Sequence, residues 1–128
     1  IMNICSATMK VILLTGATDG IGLEAAKLLV AQGHHVLLHG RNPSKLQQVE
    51  NLLSELGTGK VESFVSDLSS MSEVEAFAKA VAAKHERLDV LINNAGVLKT
   101  PNVRTEEGLD VRFAVNTIAP YLLTKRLL

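Results

Sequence analysis

The run Thr15-Gly16-Ala17-Thr18-Asp19-Gly20-Ile21-Gly22 is the part of this chain best suited to holding a phosphate. It follows an apolar stretch, Lys10–Thr15, and leads directly into residues with helical periodicity. A strand-to-helix turn of this kind must be tight, must let its backbone approach a ligand, and must let the helix pack on the strand. Each demand favours residues without a Cβ. The free N–H groups at the start of the helix favour an anion, and a pyrophosphate suits them. The spacing is G-x3-G-x-G, which differs from the G-x-G-x-x-G dinucleotide fingerprint. No Gly-Lys-Ser/Thr follows, so the run is not a Walker loop either.

Arg41 bears on which dinucleotide would sit there. A fold selecting NAD places an acidic residue on the ribose 2′-hydroxyl about 20 residues beyond the glycines. The window 36–42 holds no Asp or Glu and offers Arg41 instead, whose planar fork can engage a 2′-phosphate. NADP(H) is therefore expected in preference to NAD(H).

Other polar residues carry weaker signals. Asp67 stands at the carboxyl end of an apolar run, where an open α/β sheet binds ligands, although it could equally cap its own loop. Asn116 falls at helical spacing from Leu109 and Phe113, so on an apolar face it must find partners or cost roughly 1–3 kcal/mol. The histidines His34, His35, His39 and His85 have no zinc spacing and are expected to decorate a turn, a strand and a helix end. Cys5 is alone and cannot form an internal disulfide.

The elements that must position these groups alternate along the chain. Lys10–Thr15, His35–His39, Lys60–Val65 and Asp89–Asn93 read as strands, three of them nearly continuous in Val, Ile and Leu, as parallel strands covered on both faces are. The first helix is expected to bury Ile21, Ala25, Leu28 and Leu29, with Gly33 as its stop. The second starts at Asn42-Pro43, buries Leu46, Val49, Leu52, Leu53 and Leu56, and ends at Gly57. Ser72 and Glu75 form a capping box for the third, which buries Val74, Phe77, Ala78 and Val81. A last helix is expected from near Thr105, with a kink at Pro120. This β-α repetition predicts an α/β fold with a doubly wound parallel sheet in three α/β/α layers, with four strands present. Residues 1–9 read as an N-terminal extension and 10–128 as the domain. Leu128 falls inside an apolar helix without a stop signal, so the expectation is the N-terminal part of a longer protein.

Taken together, these motifs resemble the short-chain dehydrogenase/reductase family, whose Rossmann-type domain carries Thr-Gly-x3-Gly-x-Gly after its first strand. Asn93-Asn94-Ala95-Gly96 matches a second motif of that family, Asp67-Leu68 a third, and Val115-Asn116 a fourth. The closing stretch looks most like the retinol-dehydrogenase-like branch. The resemblance implies that Thr15, Gly16, Thr18, Asp19, Gly20, Ile21 and Gly22 form the phosphate turn. It also implies that Asp67 and Leu68 face the adenine, that Asn94, Ala95 and Gly96 approach the ribose, and that Asn116 is a catalytic residue of the proton relay. The implied activity is hydride transfer between NAD(P) and a carbonyl or alcohol substrate. Its serine and Tyr-x-x-x-Lys are expected further along a longer chain. Tyr121 and Lys125 share that spacing but begin only five residues after Asn116 on the same helix, so they are not expected to be the pair. A dinucleotide sensor or scaffold without chemistry is the alternative.

Composition excludes other classes. Thirteen basic and thirteen acidic residues give no net charge, which argues against a nucleic-acid footprint. A hydrophobic content of 47% supplies a core and argues against disorder. No apolar run reaches the roughly 18 residues needed to span a membrane. A cytoplasmic location and, as the resemblance implies, a homo-oligomer are expected.

Overall fold

Strand β1 (Val11–Leu14) is apolar at every position because both of its faces are covered, and all four residues are buried. The structure, a computed structural model, describes residues 9–56, 59–97 and 103–128. Around β1 lie β2 (His35–Gly40), β3 (Lys60–Val65) and β4 (Val90–Ile92), all parallel, in the order β3-β2-β1-β4. Leu14, Val36 and Leu38 pack on one side against Ala26 and Val30 of α1 (Gly20–Ala31) and Leu46, Val49 and Leu53 of α2 (Pro43–Ser54). On the other side Leu13, Leu37 and Phe64 meet Val74, Phe77, Ala78 and Val81 of α3 (Met71–Lys84). Val111, Val115, Ala119 and Leu123 of the last helical segment complete that layer. This is the doubly wound, three-layer α/β sheet expected. Among the described residues, no helix is long and apolar enough to cross a membrane.

Connections leave β1 in opposite directions, to β2 on one side and eventually to β4 on the other. A crevice therefore opens at the carboxyl ends of the strands, where ligands bind in such sheets.

Several local expectations are corrected. In α1 the buried stripe is Gly22, Ala26 and Val30, while Ile21 and Leu28 are 81% and 64% exposed. Leu52 of α2 is exposed and Leu56 lies exposed beyond the helix end, although the Asn42 cap stands, with Oδ1 accepting from the N–H of Ser44 and Lys45. Gly57 and Cys5 lie outside the described residues. The cap of α3 is Ser70 rather than Ser72, with Oγ accepting from the Glu73 N–H. The Glu73 carboxylate instead accepts from the Asp67 N–H at 2.9 Å, tying that loop to the helix.

The last helix does not start near Thr105. The Thr105 hydroxyl accepts from the N–H groups of Glu107 and Leu109 and so closes a turn that ends at Gly108. Asp110 then caps α4 (Val111–Phe113), which continues through a π-helical turn (Ala114–Ile118) into α5 (Ala119–Leu127). Pro120 lacks an N–H and would crowd the carbonyl four residues back in a regular helix. The wider turn immediately before it, in which the Ala119 N–H reaches Ala114 O, absorbs that conflict.

Candidate functional site

A cleft of about 700 Å³ occupies the crevice. Of the residues singled out above, Gly16, Thr18, Asp19, Gly20, Ile21, Arg41, Asp67, Leu68, Asn94, Ala95 and Gly96 line it. Thr15 and Gly22 stand behind the wall, and Asn116, exposed, does not line the cleft. The cleft also takes in His39, Gly40, Ser66, Val97 and Val115.

Thr15 shapes the turn from behind. It is 1% exposed, and its hydroxyl oxygen accepts from the N–H groups of Asn94 and Ala95, each at 3.0 Å. The same hydroxyl donates to Ile92 O at 3.5 Å, so all of its hydrogen-bonding capacity faces the β4 end. Asn94 returns the contact, donating from Nδ2 to Gly16 O at 3.1 Å. These bonds lock the start of the glycine turn to the segment after β4.

The glycines have separate tasks. Gly16 has φ +67°, and a Cβ on it would stand 2.9 Å from Ala95 Cα. On Gly22 a Cβ would collide with Gly16 O and the Asn94 amide, so this position is closed by the protein itself. Gly20 has φ +57° and meets nothing within 4 Å, which leaves its backbone open towards the cleft at the start of α1.

The periodic reading of the strands missed His39. It is 4% exposed at the end of β2, stacked on Phe77 with ring centroids 5.1 Å apart. Its Nδ1 accepts from the Gly16 N–H at 3.1 Å, and its Nε2 donates to Ser66 O at 2.9 Å. Burial pushes the ring's pKa below 6.5, against weaker upward pulls from the Ser66 carbonyl and Asp67. A neutral ring thus braces the turn from the β2 side.

Around the mouth, Arg41 is exposed, and among the described residues no carboxylate pairs with it. Asp19 pairs with Lys45 at 3.0 Å. Asp67 does cap its own loop, since Oδ1 accepts from the N–H and hydroxyl of Ser69 at 2.9 and 2.7 Å. Leu68 touches the cleft but is 5% exposed and belongs to the core.

Residues 10–128 match the short chain dehydrogenase family. The chain belongs to that family. It is 41% identical over 120 residues to a human polyprenol dehydrogenase, covering 93% of this chain and 36% of that protein. It is 35% identical over 120 residues to mouse retinol dehydrogenase 13, again covering 93% of this chain and 36% of the relative. The solved structure of a metagenomic short-chain oxidoreductase in complex with NADP superposes with a TM-score of 0.79 at 39% identity. That match covers 92% of this chain and 54% of the other. The chain thus spans little more than a third of the length of these curated relatives.

Asn116, expected above to belong to a proton relay, sits on the π-helical turn. Its side chain is exposed, and so is Phe113, so the expected apolar face is not its surrounding. It still finds two partners in one residue. Oδ1 accepts from the Val97 N–H at 2.7 Å and Nδ2 donates to Val97 O at 2.8 Å. Tyr121 is 62% exposed on α5, with Lys125 Nζ 5.8 Å from its ring centroid, and neither lines the cleft.

Proposed function

We propose that the complete protein is an NADP(H)-dependent oxidoreductase that moves a hydride between nicotinamide and a small-molecule carbonyl or alcohol. This segment would be its dinucleotide-holding part. The observation that carries the proposal is the convergence of the glycine turn, Arg41 and the Asn94–Gly96 segment on one cleft at the carboxyl ends of the strands.

In this proposal the open backbone at Gly20 and the first N–H groups of α1 hold the pyrophosphate, with Gly16, Thr18, Asp19 and Ile21 around it. Thr15 and Gly22 keep the turn in shape. The Arg41 fork binds the 2′-phosphate, and the NADP complex of the metagenomic relative supports that choice. Asp67 and Leu68 border the adenine, and Asn94, Ala95 and Gly96 let the ribose come close. When bound, the nicotinamide supplies the hydride or accepts it. Asn116 serves the proton relay from its place against Val97. Its amide retains one free lone pair and one free hydrogen after the two Val97 bonds, enough to hold a water. Pairing of subunits through the face carrying Phe113 and Tyr121, and a reducing, cytoplasmic location suited to a single cysteine, belong to the same proposal.

Titrating the full-length protein with NADPH and NADH, followed by assays of nicotinamide absorbance with a panel of carbonyls and alcohols, tests it. Tighter binding of NADPH with turnover is the expected result. Binding without turnover of any substrate class would make the protein a dinucleotide sensor. Absence of binding would overturn both.

A further inference from the structure

At the opposite ends of the strands from the cleft, three side chains converge that the proposed chemistry does not use. His35 opens β2, Glu62 lies in β3, and His85 follows the last residue of α3. Register pairs His35 with Lys60 and Leu37 with Glu62, so His35 and Glu62 share the sheet face that also carries Leu37 and Phe64. Helix α3 covers that face and brings His85 to them. Glu62 Oε1 lies 3.0 Å from His85 Nε2 and 3.4 Å from His35 Nε2. The two rings meet edge to face with centroids 5.1 Å apart, and the three ligand atoms all lie within 4.8 Å of one another. All three side chains are largely sheltered, at 13–25% exposed.

We propose that His35, Glu62 and His85 form a binding site for a divalent transition-metal ion, with zinc the ion that fits best. Tetrahedral zinc with bonds of 2.0–2.2 Å sets its ligand atoms about 3.3–3.5 Å apart, close to the two nitrogen–oxygen spacings already present. Two imidazoles and one carboxylate suit zinc, whereas magnesium and calcium favour oxygen ligands throughout. Three protein ligands leave a fourth position for water.

The surroundings fit this assignment. Lys84 Nζ lies 3.4 Å from Glu62 Oε2, so it would hold the oxygen that does not ligate and orient the carboxylate. Lys84 and Lys60 add positive charge that opposes a cation, but the Lys84 side chain is 61% exposed and water screens it. A bound ion would pin β2 and β3 to the end of α3, far from the cleft, and its effect would be on stability.

The test uses the full-length, tag-free protein carrying Cys5→Ser, which removes the thiol as a competing ligand. Zinc chloride is titrated against a chromophoric chelator, and cobalt(II) is added separately to read the visible bands of a tetrahedral site. One saturable zinc per chain, a tetrahedral cobalt spectrum and a melting temperature raised by zinc are expected. His85→Ala and Glu62→Gln should each abolish all three, while His34→Ala, one residue away from the cluster, should leave them intact. Absence of saturable binding in the Cys5→Ser protein overturns the proposal. So does binding that survives both His85→Ala and Glu62→Gln. If His85→Ala fails to fold by circular dichroism, Glu62→Gln and His35→Gln decide by the same criteria.

Discussion

Gly16 donates its N–H to Nδ1 of His39, and this permits the imidazole only one tautomer. With Nδ1 accepting, the hydrogen must sit on Nε2, where Ser66 O receives it. Protonation would place a second hydrogen against the Gly16 N–H and break the brace. Because burial lowers the folded pKa, the unfolded ring takes up a proton near 6.5 while the folded ring still resists. Stability should therefore be fully present above that value and fall as pH drops through the window below it. His35, also lowered, acts in the same direction. Denaturant midpoints measured across that window in wild type and His39→Gln isolate the buried ring. Identical slopes in the two proteins would refute its role.

Removing the Thr15 hydroxyl strands the Ala95 N–H. Thr15→Val keeps the volume but leaves the Ala95 N–H without its acceptor, while the Asn94 N–H keeps only its longer bond to Ile92 O at 3.2 Å. A loss of roughly 1 kcal/mol is expected, since the orphaned donor is partly buried and carries part of its desolvation cost. Thr15→Ser should recover most of it. Urea denaturation of both variants is the check, and a neutral Thr15→Val would show that the hydroxyl is dispensable.

Gly20 and Gly22 should fail in different ways. Gly22→Ala drives a Cβ into Gly16 O, so destabilisation of roughly 1–3 kcal/mol or more is expected, with cofactor affinity falling alongside it. Gly20→Val meets open space and carries mainly the left-handed backbone cost of about 1–2 kcal/mol. It should fold and yet lose NADPH, because its side chain fills the approach to the pyrophosphate. Wild-type NADPH affinity in a folded Gly20→Val protein would rule out the proposed contact.

Arg41→Ala should discriminate between the two cofactors. Losing a charge-assisted contact costs roughly 1.5–3 kcal/mol, so calorimetry should show NADPH binding weakened by that amount and NADH binding nearly unchanged. Equal losses for both would mean that Arg41 does not meet a 2′-phosphate.

The sheet was readable because strand β1 and its neighbours are apolar enough to announce burial on both faces. In helix α1 the expected Ala25 and Leu29 do pack, partly buried, against the core, but two large side chains mislead. Ile21 and Leu28 carry the strongest hydrophobic signal, but the face against the sheet is made of Gly22, Ala26 and Val30, whose smallness permits a close approach and leaves little trace in a periodicity. His39 did leave a signal. Alternation along β2 places it on the same face as Leu37, so a polar ring at that position had to be buried and bonded. The partner of Asn116 could not be read, because it is the backbone of Val97, and main-chain acceptors carry no residue code.

The clasp between Thr15, Gly16 and Asn94 also bears on the order in which the chain becomes organised. Asn94 lies 78 residues from Gly16, whereas β1 meets β2 over a separation of only 24. Closing the longer loop costs about 1 kcal/mol more chain entropy, and most of the sheet must be assembled before that closure is rewarded. The phosphate turn is written near the beginning of the sequence, yet its final shape depends on β4, the sixth element after it along the chain. During synthesis, the nascent protein would expose an unclasped glycine loop until residues beyond Ala95 had left the ribosome.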